Sequence, residues 1–427
     1  MTEVIISNGF HRFHLRLAAV EAHRRNACTA LITGGYAKAS MAWLQRATKL
    51  LRIAALDRLL VRSVDLPDAL VHAIWTGEAV AQLAKLIHSR SAATAERLDV
   101  LARRLFAHRA SRLFEPLPPA VGRGIYHYRS GFGGVSVEAA RQRGWLCLCD
   151  HSMVHPGVVA HLFSHNGTLP PTGQTGRMGL NLRSILADVE RADHVLVNSE
   201  FVKSTFLHQG WADDGISVIP QGVDDGFLSV IPERAAPEGP LRMLFAGFFS
   251  RGKGGHVLSE ALRHLDAIDW RLDICGPVDA DSAADLKRLA ADARISYLGS
   301  LLPPALAARM AAADIFVFPT LAEGSARVVF EALAAGCYVV TTVNAGSIVV
   351  DGEHGRLIEP GNAHALTDAL RQAARNRKGI ARVGANNAAL IRRSHRQQHY
   401  GDRLFCLYRH LLERSNRTTD SGEIAVP

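Results

Sequence analysis

Short apolar runs alternate with stretches of helical period along almost the whole chain, a pattern that predicts an α/β protein with parallel sheets. In the first half the strand-like runs are Val4 to Asn8, Cys28 to Thr33, Ile125 to Arg129, Trp145 to Asp150, His194 to Ser199 and Ile216 to Pro220. A Pro-rich, charged stretch from Ile231 to Pro240 then reads as a linker. The pattern restarts with Leu241 to Phe248, Arg271 to Cys275, Ile295 to Gly299, Asp314 to Pro319, Tyr338 to Val343 and Arg356 to Ile358. Two Rossmann-like halves, 1–230 and 241–394, are therefore expected, with a ligand cleft at the carboxyl ends of their strands.

Composition agrees with two substantial cores: 427 residues, 48% of them hydrophobic, are enough for two ordinary domains. No apolar stretch reaches the ~20 residues of a spanning helix, and the N-terminus enters a strand without a signal-peptide pattern, so a cytoplasmic protein is expected. The six cysteines show no metal-finger spacing and read as reduced residues, most of them in the core. The net charge of +9 is uneven, with 17 Lys or Arg against 9 Asp or Glu between Met1 and Glu115. Within that region, Met41 to Ser63 combines leucines with five basic residues. It reads either as a domain helix with one buried face or as a basic amphipathic helix contacting an anionic membrane surface, which would make the protein peripheral to the inner membrane face. No aromatic-interleaved basic motif points to nucleic acid.

The densest chemical signal is PTLAEGSARVVFEALAAGCYVVTT. A buried strand precedes Glu323, which falls in a loop, and a helix from Val328 to Ala335, stopped by Gly336, carries Glu331. At about 100° per residue the two acids would lie roughly 80° out of line even on one helix, so they suit two parts of one long ligand better than a shared metal. Between them, the free amides and dipole of the helix N-terminus, around Gly324, Ser325, Ala326, Arg327 and Val328, favour an anion such as a pyrophosphate.

Two other segments carry chemistry. FAGFFSRGKGGHV, Phe245 to Val257, runs from a strand into a glycine-rich turn that brings backbone, Arg251 and Lys253 toward phosphate; the ammonium would stabilise a departing diphosphate. DHSMVHP places His151 at the carboxyl end of a strand, facing the cleft. His151 and His155 stand at i and i+4 but lack the acidic ligand and catalytic Glu of a zinc helix. SGFGG, Ser130 to Gly134, lacks the dinucleotide spacing and reads as a loop shaping an acceptor pocket, ahead of a helix from Val135 to Arg143.

Taken together, Trp145 to Leu412 resembles the retaining nucleotide-sugar glycosyltransferases of the GT-B fold, glycosyltransferase family 4, marked by an E-x7-E signature. RADHVLVNSEFVKSTF with ISVIPQGVDDGFL resembles the end of that family's acceptor domain. His399 to Glu413 resembles the C-terminal helix that crosses back to the N-terminal domain, here assigned 395–415, ahead of a disordered tail at 416–427. The resemblance implies that Glu323 and His151 contact the donor sugar, that Glu331 holds the ribose, and that Lys253, in register from Gly247, meets the diphosphate. Phe248 stands where an Arg is common, with Arg251 as its substitute, and Ala326 and Arg327 replace a usual Gly and a Leu or Pro. It also implies a nucleobase near Gly276 and Leu298, and donor phosphates near Gly9, whereas His14 in the same loop is a poor candidate.

The function expected is metal-independent transfer of a sugar from a UDP- or GDP-sugar to a hydroxyl of a saccharide or lipid-linked acceptor, with no other cofactor. The setting would be cell-envelope or extracellular polysaccharide synthesis. The alternative is a non-catalytic nucleotide-sugar-binding scaffold of the same fold.

Overall fold

A computed structural model describes residues 2–10, 14–36, 65–120, 122–234, 238–265 and 268–422. The first sheet is parallel and contains β1 (Glu3–Gly9), β2 (Cys28–Thr33), β3 (Val71–Ala73), β4 (Gly124–Arg129), β5 (Leu146–His151), β6 (His194–Val197) and β7 (Ile216–Val218), in the order 3-2-1-4-5-6-7. The second, also parallel, contains β8 (Leu241–Ala246), β9 (Trp270–Cys275), β10 (Ile295–Gly299), β11 (Ile315–Phe318), β12 (Tyr338–Thr342) and β13 (Gly355–Ile358), in the order 10-9-8-11-12-13. Sequence periodicity located every strand except β3, whose three residues are too few to show a period. Each sheet reverses its strand order once, between β1 and β4 and between β8 and β11, and such points open a crevice at the carboxyl ends.

Helices cover both faces, which is why the strands read as unbroken apolar runs. In β1, Val4 and Ile6 face α1 (Leu15–Arg24), while Ile5 faces the opposite layer with Phe106. That second layer includes α2 (Trp75–Ile87), α3 (Ala92–Ser111), α4 (Val135–Gln142), α5 (Leu180–Glu190) and α6 (Glu200–Leu207). In the second half, α7 (Gly255–Leu262) follows β8 and α8 (Arg327–Ala334) follows β11.

The C-terminal helix α9 (Gln397–Gly422) returns to the first sheet and lies beside α1. Tyr400, Leu404, Tyr408 and Leu411 form its buried stripe at helical spacing, and the Tyr408 hydroxyl bonds His127 Nδ1 at 2.7 Å. The tail expected from Asn416 is a correction: the helix continues to Gly422. A packed stripe has already formed the nucleus, and each further turn then propagates at little cost.

The expected linker is pinned at its start. The Arg234 guanidinium bonds the carbonyls of Met310, Ala313 and Ala335 at 2.8 to 3.3 Å, supplying a cation where helices end. Cys147, Cys149, Cys275 and Cys337 are buried free thiols, Cys28 is half-buried, and Cys406 is exposed on α9. The basic segment 41–63 lies outside the described residues. Among those described, no helix is long and apolar enough to cross a membrane.

Candidate active site

Lys253 and Glu323 come from the loops that leave β8 and β11, the two strands flanking the switch point of the second sheet. The first loop turns through Gly254 at φ +76°, where a Cβ would overlap the Pro319 carbonyl. This close approach brings the Lys253 ammonium onto Glu323 Oε1, which also accepts the Thr320 hydroxyl at 3.2 Å. The Glu323 amide is fixed by the Asn344 carbonyl at 2.8 Å.

α8 begins immediately afterwards. The Ala326 amide is used inside the fold, by the Ala345 carbonyl at 2.9 Å, so that part of the expected anion cradle is occupied. The amides of Arg327 and Val328 have no partner among the described residues, and Ser325 Oγ is buried without one. Glu331 sits one turn further on, mostly buried, with an Arg327 nitrogen 3.9 Å from its carboxylate. Burial raises its pKa; Arg327 opposes the shift and Asp224 adds to it.

His151 is the last residue of β5 and is fully buried. Its Nδ1 meets Ser130 Oγ at 2.9 Å, its ring stands edge-on to Phe206, and its Nε2 has no hydrogen-bond partner. Burial lowers its pKa to about 4, so at neutral pH it is an uncharged imidazole. His155 has partners of its own: Nδ1 accepts the Gly157 amide at 3.1 Å, and the ring packs on Phe206.

The loop after β5 meets the loop after β11 directly. A Cβ on Gly324 would overlap the Ser152 carbonyl oxygen, and the Ser199 hydroxyl donates to the Gly324 carbonyl at 2.5 Å. Asn344 donates to the carbonyls of Gly167 and Leu321 at 2.8 and 2.7 Å, tying both halves together. Arg251 joins this seam through Asn166 Oδ1 at 3.2 Å. Phe248, in the position of the family's usual Arg, stands 43% exposed.

The remaining predicted residues are spread around this core. Gly247 and Gly276 lie side by side at the ends of β8 and β9, and the Tyr297 hydroxyl donates to the Gly276 carbonyl at 3.1 Å. Leu298 packs partly against the second core. Gly9, at the end of β1, is covered by the Phe132 ring of its own half.

Sequence reasoning missed Ser199, Asn166 and Asn344. Their one available signal was position, since all follow a strand or helix on the cleft side. His14 Nε2 lies 2.9 Å from Asp150 Oδ2. Burial opposes ionisation of Asp150, but His14 and His127, the latter 3.4 Å away, outweigh it and hold the carboxyl well below its usual range.

Comparison with known proteins decides the kinship. Residues 240–376, which contain Lys253, Glu323 and Glu331, match the glycosyl transferases group 1 family. A D-inositol 3-phosphate glycosyltransferase of Pseudarthrobacter chlorophenolicus is 33% identical over 284 residues, 62% of this chain and 65% of the relative. A phosphatidyl-myo-inositol mannosyltransferase of Mycobacterium leprae is 34% identical over 182 residues, 41% of this chain and 48% of the relative. The fold matches a crystal structure of Anabaena Alr3699/HepE in complex with UDP at TM-score 0.60 and 16% identity, over 95% of this chain and 98% of that one. The fold is that of the GT-B glycosyltransferases, and the second half carries a glycosyl transferases group 1 domain. It spans just under two thirds of the first relative's length and about half of the second's. In this chain of GT-B fold the two acids and the lysine all fall inside the matched span, whereas His151 and Ser199 belong to the half outside it.

Proposed function

We propose that this chain is a retaining glycosyltransferase that moves a sugar from a UDP- or GDP-sugar to a hydroxyl of a glycan or glycolipid acceptor, in cell-envelope or extracellular polysaccharide synthesis. The observation that carries the reading is the convergence of Lys253 and Glu323 beside the open amides of α8, against the wall that carries His151. A diphosphate would replace Glu323 as the partner of Lys253 and accept from the Arg327 and Val328 amides, which stabilises charge on the departing nucleotide. Glu323, released, would accept sugar hydroxyls. Glu331 would accept the ribose hydroxyls, and neutral His151 would orient the sugar through a hydrogen bond. The acceptor would attack on the face the nucleotide leaves, its proton passing to the departing phosphate, so no side chain serves as covalent nucleophile.

The relatives' names carry inositol phosphate and phosphatidyl-inositol, in keeping with a phosphate-bearing or lipid acceptor handled in the cytoplasm, at the inner membrane face. The exposed Phe248 favours a second reading, a nucleotide-sugar-binding scaffold without turnover.

A calorimetric and thermal-shift screen against UDP, GDP, ADP and their common sugars tests the proposal. Stabilisation by one nucleotide, lost in Glu331→Ala, is expected. Silence across the panel from folded protein would contradict it, and binding without any nucleotide release on adding acceptors would select the scaffold.

A further inference from the structure

α3, α4 and α5 enclose a groove of about 840 Å³ on the first half of the molecule. Its wall includes Gly131, Phe132 and Gly134, from the loop that follows β4. The preceding residue, Ser130, holds His151 Nδ1, so one end of the groove abuts the support of the candidate active site. A helix leading into a parallel strand starts at that sheet's carboxyl edge, and α5 leads into β6, so Leu180, its first residue, marks the same end.

The groove is amphipathic. Arg104 and Arg183 line it, and neither has an acidic partner among the described residues. By contrast, Arg103 is neutralised by Asp99 at 2.8 Å and Arg141 by Asp193 at 2.7 Å. Apolar side chains stand at the rim in water, with Val135 56% and Leu180 47% exposed, and Leu101 and Leu105 are exposed on the neighbouring face of α3. Of that face, Arg104 and His108 line the groove, and the two carboxylates in its wall stand beside other arginines, Glu138 3.8 Å from Arg141 and Asp188 3.6 Å from Arg191. The Arg183 Nε donates to the Met178 carbonyl at 3.1 Å, and guanidinium groups without a carboxylate partner favour phosphate. Val135 and Leu180 at the rim, with Leu101 and Leu105 on the adjoining face, offer exposed apolar surface that an apolar ligand would cover.

We propose that this groove seats the lipid-phosphate part of the acceptor. Arg104 and Arg183 hold a phosphate or pyrophosphate ester, and its hydrocarbon chain lies over Val135, Leu180 and the leucines of α3. A soluble sugar phosphate would leave the apolar rim uncovered, and an uncharged lipid would leave both guanidinium charges without a counter-charge. That the ligand is an acceptor rests on the glycosyltransferase reading; the groove itself does not depend on Lys253 or Glu331.

The test is titration calorimetry of the full chain with farnesyl phosphate below its micellar concentration, beside farnesol and inorganic phosphate. Farnesyl phosphate is expected to bind at least about tenfold more tightly than either fragment, and Arg104→Glu with Arg183→Glu to weaken it by at least about tenfold. Lys253→Ala should leave it unchanged. Equal binding by the double variant, by phosphate alone or by farnesol overturns the proposal. So does sedimentation with phosphatidylglycerol vesicles without farnesyl phosphate binding, which reassigns the face to the bilayer. Nucleotide binding by the double variant, compared with the parent, reports folding and separates this failure from failure of the donor site. Should that variant not fold, Arg183→Gln alone is expected to weaken farnesyl phosphate several-fold, and no change would count against the groove.

Discussion

Lys253 and Glu323, seventy positions apart, are ion-paired through Glu323 Oε1, the oxygen that also accepts from Thr320. The pair exists because the chain leaves adjacent strands β8 and β11 at the one place where the second sheet reverses its order. Each residue neutralises the other across the cleft, so neither charge stands unpaired. A bound diphosphate must compete with Glu323 for the ammonium.

Glu331 should show opposed effects on stability and binding. Its folded pKa is raised, so the folded chain binds the extra proton, and the stability this confers is full at low pH and lost as pH rises through the folded pKa. Glu331→Gln is therefore expected to melt higher than the parent at neutral pH while binding nucleotide more weakly. Melting curves and calorimetry on the same samples check both signs.

His151 gives the reverse dependence. An unfolded imidazole protonates near 6.5 and the buried one only near 4, so stability present above the first value is lost as pH falls toward the second. The loss is about 1.4 kcal/mol per pH unit at most for this one group. Urea midpoints between pH 4 and 7 should fall with acid, and His151→Gln should flatten that slope.

Gly324→Ala places a methyl group on the Ser152 carbonyl and must push the two walls apart. Displacements of about 1 Å at a reacting centre cost on the order of 10²-fold in rate. Turnover should drop by that order, with a melting temperature near the parent's and a larger radius of gyration by X-ray scattering. Unchanged turnover would show that this seam is not part of the working geometry.

The recrossing helix should matter to the first half's stability. Leu404 is fully buried between α1 and the sheet, so Leu404→Ala should cost about 2–5 kcal/mol in denaturant unfolding. Tyr408→Phe, which removes only the hydroxyl bonded to His127, should cost about 1 kcal/mol.

The strands were legible because parallel strands buried on both faces read as unbroken apolar runs; β3 was not, having three residues. The acids and the lysine were legible because strand, loop and helix fix where each emerges. What escaped was the seam between the halves. Ser199 with Gly324, and Asn344 with Gly167, meet only once two separately folded units dock, and no local period records that. For the same reason the contact of Arg251 with Asn166 was not legible. The Asp150 cluster gathers residues of β4, β5, α9 and the start of α1, and hydrophobic patterning cannot anticipate such buried polar pairing.

The most direct measurement is the rate of nucleoside diphosphate release from the preferred nucleotide sugar, with acceptor, by the parent and by Lys253→Ala. Removing one preorganised stabiliser of a departing charge costs about 10²–10³-fold in kcat, so a fall of that order is expected, with donor affinity changed by less than about tenfold. A variant that turns over as fast as the parent would contradict the role given to Lys253 and to the cleft it shares with Glu323.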